Sequence, residues 1–360
     1  MEAKFNGNML KIARKSKGYS QKDICESAGI TQGAYSKIEK GMLNPSDHIL
    51  SALSDALRVQ KGFFYQDGRV FQPVTPYNRS RASLEVKSKD RVEAIANLYR
   101  IHLGKLMDEI ELSYNITHID LMNKLPAEAA ELTRRNLRVP RGPIENLTNL
   151  LEDNGLFIIF FDFETEALDG FTIQSNDIIP LVFINNQFPG DRVRFTLGHE
   201  LGHLVMHNHL DGESNIEQEA NDFASEFLMP RADIIRELDS LTMEKLANLK
   251  MKWRVSMGAL IQRAKSLRTI TENQARYLWM QMSSRGFRRK EPVDVPIEKP
   301  TLLKELVTTY VNELSYSKND LSNLLLIHEG ELDTYFNFGR FKLKILRNNN
   351  LRADLRTEEK

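Results

Sequence analysis

Cysteine is almost absent: Cys25 is the only one in 360 residues. No intrachain disulfide can form and no cysteine-rich metal site can be built. That pattern suits a reducing compartment, and the cytoplasm is the expected location. A surplus of charge is also missing, with 49 Lys and Arg against 49 Asp and Glu. Net charge therefore names no partner, neither nucleic acid nor a membrane surface. No apolar run is long enough to span a bilayer, and the first residues lack the apolar stretch of a secretory signal, so no membrane association is expected. What remains is ordinary for a globular chain: 41% hydrophobic and 27% charged, with length for two or three domains.

Residues 196–203 read Thr-Leu-Gly-His-Glu-Leu-Gly-His, which contains H-E-x-x-H at His199, Glu200 and His203. On a helix, positions four apart lie on one face, so the two imidazoles can aim at one ion. Glu200 sits about 100° around the helix from His199. From there it can reach a water on a metal without being a ligand, the arrangement for metal-assisted hydrolysis. Phe195, Leu197, Leu201, Leu204 and Val205 form an apolar stripe that predicts a buried helix. A core helix with two satisfied histidines is the alternative. A catalytic zinc needs a third ligand. In Ile216–Pro230, Ile216, Ala220, Phe223, Ala224, Phe227 and Leu228 recur at helical spacing, and Pro230 marks the end. Glu217 and Glu219 are the candidates there. Glu219 borders the apolar stripe and is preferred; Glu217 points about 200° away from it.

The pair H-E-L-G-H (His199–His203) and E-A-N-D-F-A-S-E-F-L-M-P (Glu219–Pro230) resembles the ImmA/IrrE family of metallopeptidases across roughly residues 145–235. The resemblance implies Zn²⁺ held by His199, His203 and Glu219, with Glu200 as general base. It also implies an intracellular bacterial or phage protein, in a family of which several members act by proteolysis of a transcriptional repressor. The segment Ala224-Ser225-Glu226-Phe227-Leu228 departs mildly from the usual family pattern and spares the ligands.

Residues 1–65 read as a compact helical unit: Asn8–Lys17, Gln21–Ser27 capped by Ser20 and ended by Gly29, Gln32–Glu39 capped by Thr31, and His48–Leu57. Two short helices on a tight glycine turn are a helix-turn-helix signature. The expected core is Leu10, Ile12, Ala13, Ile24, Ala28, Ile30, Tyr35, Ile38, Ile49, Leu53 and Leu57. The segments Ser20–Ile24, Ala28–Gln32, Tyr35–Gly41 and Asn44-Pro45 are similar to the lambda-repressor-like (XRE) helix-turn-helix family. The resemblance implies that Gln32–Lys37 enters the major groove. Gln32 can bond adenine bidentately, and Lys37 can meet a guanine or a phosphate. Gln21 is expected to hold a phosphate. The DNA-contacting set is Gln21, Thr31, Gln32, Gly33, Ala34, Tyr35 and Lys37. Residues 1–70 hold 11 Lys and Arg against 7 Asp and Glu, a surplus of four. Affinity of one domain should be modest, and a homodimer is expected.

The expected fold class is mainly α with a small β-sheet (α+β). Residues 66–90 are read as a linker, and residues 91–284 as a zincin-like metallopeptidase domain. In it, strands at Leu156–Phe161, Leu168–Gln174 and Ile178–Asn185 precede the H-E-x-x-H helix. Met243–Leu267 closes that domain as a helical pair or a degenerate helix-turn-helix, made basic by Arg254, Arg263, Lys265 and Arg268. Residues 285–300 read as a second linker, 301–346 as a helical C-terminal region and 347–360 as a disordered tail. Two functions stand. One is a DNA-binding regulator with a zinc endopeptidase that cuts a repressor or partner protein. The other is a regulator or antitoxin-like protein whose metal domain only senses or holds partners. Glu200 favours catalysis, since a purely structural site needs no general base.

Overall fold

A computed structural model describes residues 4–66, 86–110, 116, 121, 124–175, 178–207 and 215–336. Most of the expected first linker and all of the expected tail lie outside the described residues. The N-terminal unit comprises α1 (Gly7–Ser16), α2 (Gln21–Ala28), α3 (Gln32–Glu39), α4 (Asp47–Leu57) and a 3₁₀ turn at Lys61–Tyr65. Its boundaries are set by local chemistry. Ser20 and Asp23 form a reciprocal capping box on α2, Gly29 ends it at φ 64°, and Thr31 accepts from Ala34 N at the start of α3. The long α5 (Val86–Met107) packs along α1, followed by α6 (Pro126–Asn136) and α7 (Leu147–Asp153).

The strands are β1 (Phe157–Phe161), β2 (Gly170–Ser175) and β3 (Ile178–Asn185), in the order β1-β3-β2. β3 is parallel to β1 and antiparallel to β2. Strand alternation splits their side chains between two cores. Phe157, Ile159, Phe171, Ile173, Leu181 and Phe183 join the N-terminal unit, α5 and the C-terminal helices in one hydrophobic cluster. Ile158, Val182 and Ile184 face the other cluster, with α8 (Gly190–Met206) and α9 (Ile216–Leu228). The sheet is thus the wall between the helix-turn-helix body and the H-E-x-x-H body.

The rest of the second cluster is built from α10 (Arg231–Ile234), α11 (Met243–Trp253), α12 (Met257–Ser266) and α13 (Glu272–Ser284). Residues 285–300 do not behave as a loose linker. Glu291 accepts from Lys250 Nζ (2.6 Å) and from Met257 N at the start of α12 (2.9 Å). Glu298 is buried, pairs with Arg194, and accepts from Leu147 N (2.8 Å) and Thr148 N (3.1 Å) at the start of α7. These carboxylates cap helices far away in the chain, which local composition cannot reveal.

The C-terminal helices α14 (Leu302–Asn312), α15 (Lys318–Leu325) and α16 (Glu329–Phe336) are likewise not a separate body. Val59 bridges Ile327 in antiparallel fashion, Gln60 N donates to Leu326 O (2.9 Å), and His328 N donates to Arg58 O (3.1 Å). Their apolar side chains, among them Val307, Tyr310, Leu321 and Leu332, complete the N-terminal core.

Candidate metal centre and nucleic-acid interface

α8 carries the H-E-x-x-H segment against α9. The closeness rests on two glycines one turn apart. A Cβ on Gly202 would lie 3.0 Å from the Phe223 ring, and one on Gly198 would lie 3.3 Å from Ala224 Cβ. The two helices therefore pack at small-residue distance, and α9 side chains reach the histidines.

His199 and His203 aim their Nε2 atoms at each other, 3.0 Å apart. The third group at that point is Glu217, not Glu219. Glu217 Oε2 lies 3.6 Å from His199 Nε2, and its Oε1 lies 3.5 Å from His203 Nε2. Among the described residues, His199, His203 and Glu217 are the set whose donor atoms gather closely enough to hold a cation. Glu219, expected from the sequence, is turned to His207, with 3.0 Å between Glu219 Oε2 and His207 Nε2. The reason is the face of α9 that meets α8. Ala220 and Ala224 lie against Gly202 and Gly198, and Glu217 precedes them at i−3 and i−7 on that face. Glu219 follows the edge of the same helix instead and reaches the end of α8.

A second ring of contacts surrounds these three residues. Asn221 Oδ1 lies 3.0 Å from His199 Nδ1. His203 Nδ1 lies 3.0 Å from His207 Nδ1. Thr172, on the face of β2 opposite to Phe171 and Ile173, donates to Glu200 Oε2 at 2.7 Å. Glu200 itself is buried. Burial works against the charged form of His199, but its hydrogen bond to Glu217 and the Glu200 carboxylate leave its pKa raised. Burial would push Glu217 up, yet its hydrogen bonds with His199 and His203 bring it down to about 2. Burial lowers the pKa of His207, which its contact with Glu219 only partly offsets.

Two imidazoles and one carboxylate are a known three-ligand set for catalytic zinc. A tetrahedral ion with bonds of about 2.0–2.1 Å needs donor nitrogens roughly 3.3 Å apart, close to the observed spacing. The residues present therefore fit the group. Glu217 and Asn221, one turn apart on α9, carry a spacing signal in the sequence that matches His199 and His203 on α8. His207 continues the four-residue spacing of His199 and His203, whereas Thr172 lies on a distant strand and carries no such signal.

On the helix-turn-helix, Thr31, Gln32, Gly33 and Lys37 are exposed along α3, and Ala34 is half-buried. Tyr35 is buried at 0% exposure, and its hydroxyl lies 3.3 Å from Glu39 Oε1, so it serves the core. Gln21, expected at a phosphate, donates to Glu39 Oε2 (2.5 Å), a carboxylate that also holds Arg14. In the alternative basic segment Arg268 is exposed and Lys265 pairs with Glu272, but the other two cations are engaged by the fold. Arg263 is buried against Glu226 and Met229 O, and Arg254 donates to Glu145 O.

The comparisons with known proteins divide the chain at the same places. Residues 10–64 match the helix-turn-helix family model, and residues 151–265 match that of the IrrE N-terminal-like domain. One relative is a prophage-derived, uncharacterized HTH-type transcriptional regulator, YonR, of Bacillus subtilis. It is 42% identical over 57 residues, 16% of this chain and 53% of the relative. The transcriptional regulator ClgR of Mycobacterium tuberculosis is 38% identical over 53 residues, 15% of this chain and 47% of the relative. The chain spans about half the length of these relatives. Among the described residues, no helix is long and apolar enough to cross a membrane. The chain thus carries a helix-turn-helix domain of the XRE type and an IrrE N-terminal-like domain, packed on opposite faces of one sheet.

Proposed function

We propose that this protein is a DNA-binding transcriptional regulator of the cytoplasm whose second domain is a zinc-dependent endopeptidase acting on a repressor or partner protein. The observation that carries the catalytic half is the division of labour at α8. His199, His203 and Glu217 form the donor set, while Glu200 is buried beside them, held by Thr172 and outside that set. A structural metal site has no use for such a carboxylate. When bound, zinc lowers the pKa of a coordinated water and polarises the scissile carbonyl. Glu200 takes the proton from the attacking water and returns it to the departing amine. Thr172 holds Oε2, and Oε1 is the oxygen assigned to that exchange. β2 is an edge of the three-stranded sheet and packs on α8, which suits a substrate held extended by strand addition.

For the DNA-binding half, the exposed Gln32 and Lys37 on α3 supply one bidentate base reader and one cation. Two copies of the chain would meet two half-sites of an operator. Both relatives are transcriptional regulators, which supports the DNA-binding half of this reading.

The test uses Glu200→Gln in the full chain as a trap. Proteins captured on the variant are identified and then incubated with zinc-loaded wild type and with the variant. Cleavage by the wild type that falls about 10²-fold or more in the variant is expected for loss of a general base. Equal cleavage by both proteins removes Glu200 from the mechanism. No cleavage of any captured protein by the wild type supports a sensor or scaffold in place of a peptidase.

A further inference from the structure

We propose that His207 and Glu219 are positioning residues that select the ligating tautomer of His203. The inference rests on the zinc reading above and adds to it a role for two residues outside the donor set. His199 and His203 on α8 and His207 at its C-cap stand at successive four-residue steps, so three imidazoles line one side of the helix end. Only the first two approach Glu217. His207 is buried, with its Nδ1 at 3.0 Å from His203 Nδ1 and its Nε2 at 3.0 Å from Glu219 Oε2.

The proton positions follow from counting. A neutral imidazole has one N–H and one lone pair. His203 presents Nε2 to the metal point, and that nitrogen must offer its lone pair, so the proton sits on Nδ1. The atom facing it is His207 Nδ1, which must then accept. His207 consequently carries its proton on Nε2, and a carboxylate oxygen is there to accept it. The chain Glu219···H–Nε2 His207 Nδ1···H–Nδ1 His203 satisfies every nitrogen with both rings neutral. The opposite direction puts a proton on His203 Nε2 and blocks the ligand position. It also makes His207 Nε2 face a carboxylate with a lone pair, which is repulsive. Glu219, an acceptor only, thereby fixes the direction of the whole chain. Partners of this kind orient metal-bound imidazoles and raise their basicity. His199 has its own partner, Asn221, at 3.0 Å from Nδ1. Both ligating histidines are therefore held from behind, one by an amide and the other by a histidine–carboxylate pair.

The experiment measures zinc affinity of the full chain by chelator competition for wild type, Glu219→Leu, Glu219→Gln and His207→Phe. Far-UV circular dichroism and urea unfolding of each variant serve as the check that it is folded. Glu219→Leu and His207→Phe should each weaken zinc by about 10–100-fold, the range for loss of an outer partner. Glu219→Gln should recover most of that loss, because its amide oxygen still accepts from His207 Nε2, which a merely space-filling role would not require. Co²⁺-loaded Glu219→Leu should keep the d–d spectrum of the wild type, since no ligand is removed. A wild type that binds no zinc refutes the metal reading itself. Wild-type zinc binding with unchanged affinity in Glu219→Leu and His207→Phe refutes the relay alone. A cobalt spectrum altered as in Glu217→Leu makes Glu219 a ligand and also overturns the relay.

Discussion

The two faces of the three-stranded sheet differ in what they ask of the chain. The face toward the helix-turn-helix is apolar, with Phe171 stacked on Phe183 at 4.8 Å and Tyr99 edge-on to Phe183 at 5.9 Å. Dispersion and burial hold it, and any well-shaped hydrophobe would serve. The opposite face places Thr172 between two such residues on the same strand and uses it to hold Glu200. There the fit depends on single atoms. A strand alternates, so a one-residue slip in β2 would exchange the core rings for the polar contact. The packing against the helix-turn-helix body is therefore also what fixes the register of the strand at Glu200.

Attacking the apolar face gives the largest effect. Phe183→Ala should destabilise the folded chain by about 3–5 kcal/mol, the range for a large buried aromatic, as read from urea unfolding. A cost near zero would mean that the two bodies do not share this core. The exposed α3 should behave in the opposite way. Gln32→Ala should leave stability unchanged and reduce discrimination between operator and mutant sites by about 1–3 kcal/mol. Lys37→Ala, if it meets phosphate, should lower the slope of log affinity against log salt by about one. A chain lacking the exposed α3 side chains that binds its operator with full specificity would move the DNA site elsewhere.

An effect that emerges only in acid concerns His102, fully buried against the rings of Tyr335 and Phe336, with neither ring nitrogen hydrogen-bonded. Burial, with a lesser contribution from Lys105, lowers its pKa from the ordinary 6.5 to about 3. The unfolded chain therefore binds this proton first, and stability is lost as pH falls below about 6.5, by up to roughly 1.4 kcal/mol per pH unit. Glu152 has the opposite sign. Burial raises its pKa to about 7, so it loses stability as pH rises from about 4.5. The His102 contribution is thus isolated as the difference between wild type and His102→Leu, which should shrink as the pH rises toward 6.5. A difference independent of pH would place a charged or hydrated His102 in the fold.

What could be read in advance follows the range of the interaction. Helix ends in residues 7–57 were legible because Ser20, Gly29 and Thr31 act within four residues of themselves. The three strands were legible from apolar β-rich runs and appear at Phe157–Phe161, Gly170–Ser175 and Ile178–Asn185. The spacing of His199 and His203 encodes their convergence for the same reason. The choice of Glu217 over Glu219 turns on how α9 lies on α8, which two glycines on the other helix set; in the sequence only the four-residue step from Glu217 to Asn221 hints at it. Residues 285–300 misled by composition. Their prolines and charges resemble a linker, while Glu291 and Glu298 find backbone N–H groups far back in the chain, such as Met257 N and Leu147 N. Tyr35 and Gln21 were drawn from a motif; in the fold Tyr35 is buried and both hydrogen-bond to Glu39, a long-range contact for Gln21 that the motif does not encode.

The most direct test of the metal centre is zinc content at saturating zinc for the full chain, Glu217→Ala and Glu219→Ala. About one zinc per wild-type chain is expected for a single three-ligand site. Glu217→Ala should fall far below that value, whereas Glu219→Ala, which leaves all three donors in place, should still approach one. Full zinc in Glu217→Ala together with its loss in Glu219→Ala would contradict the geometry described here.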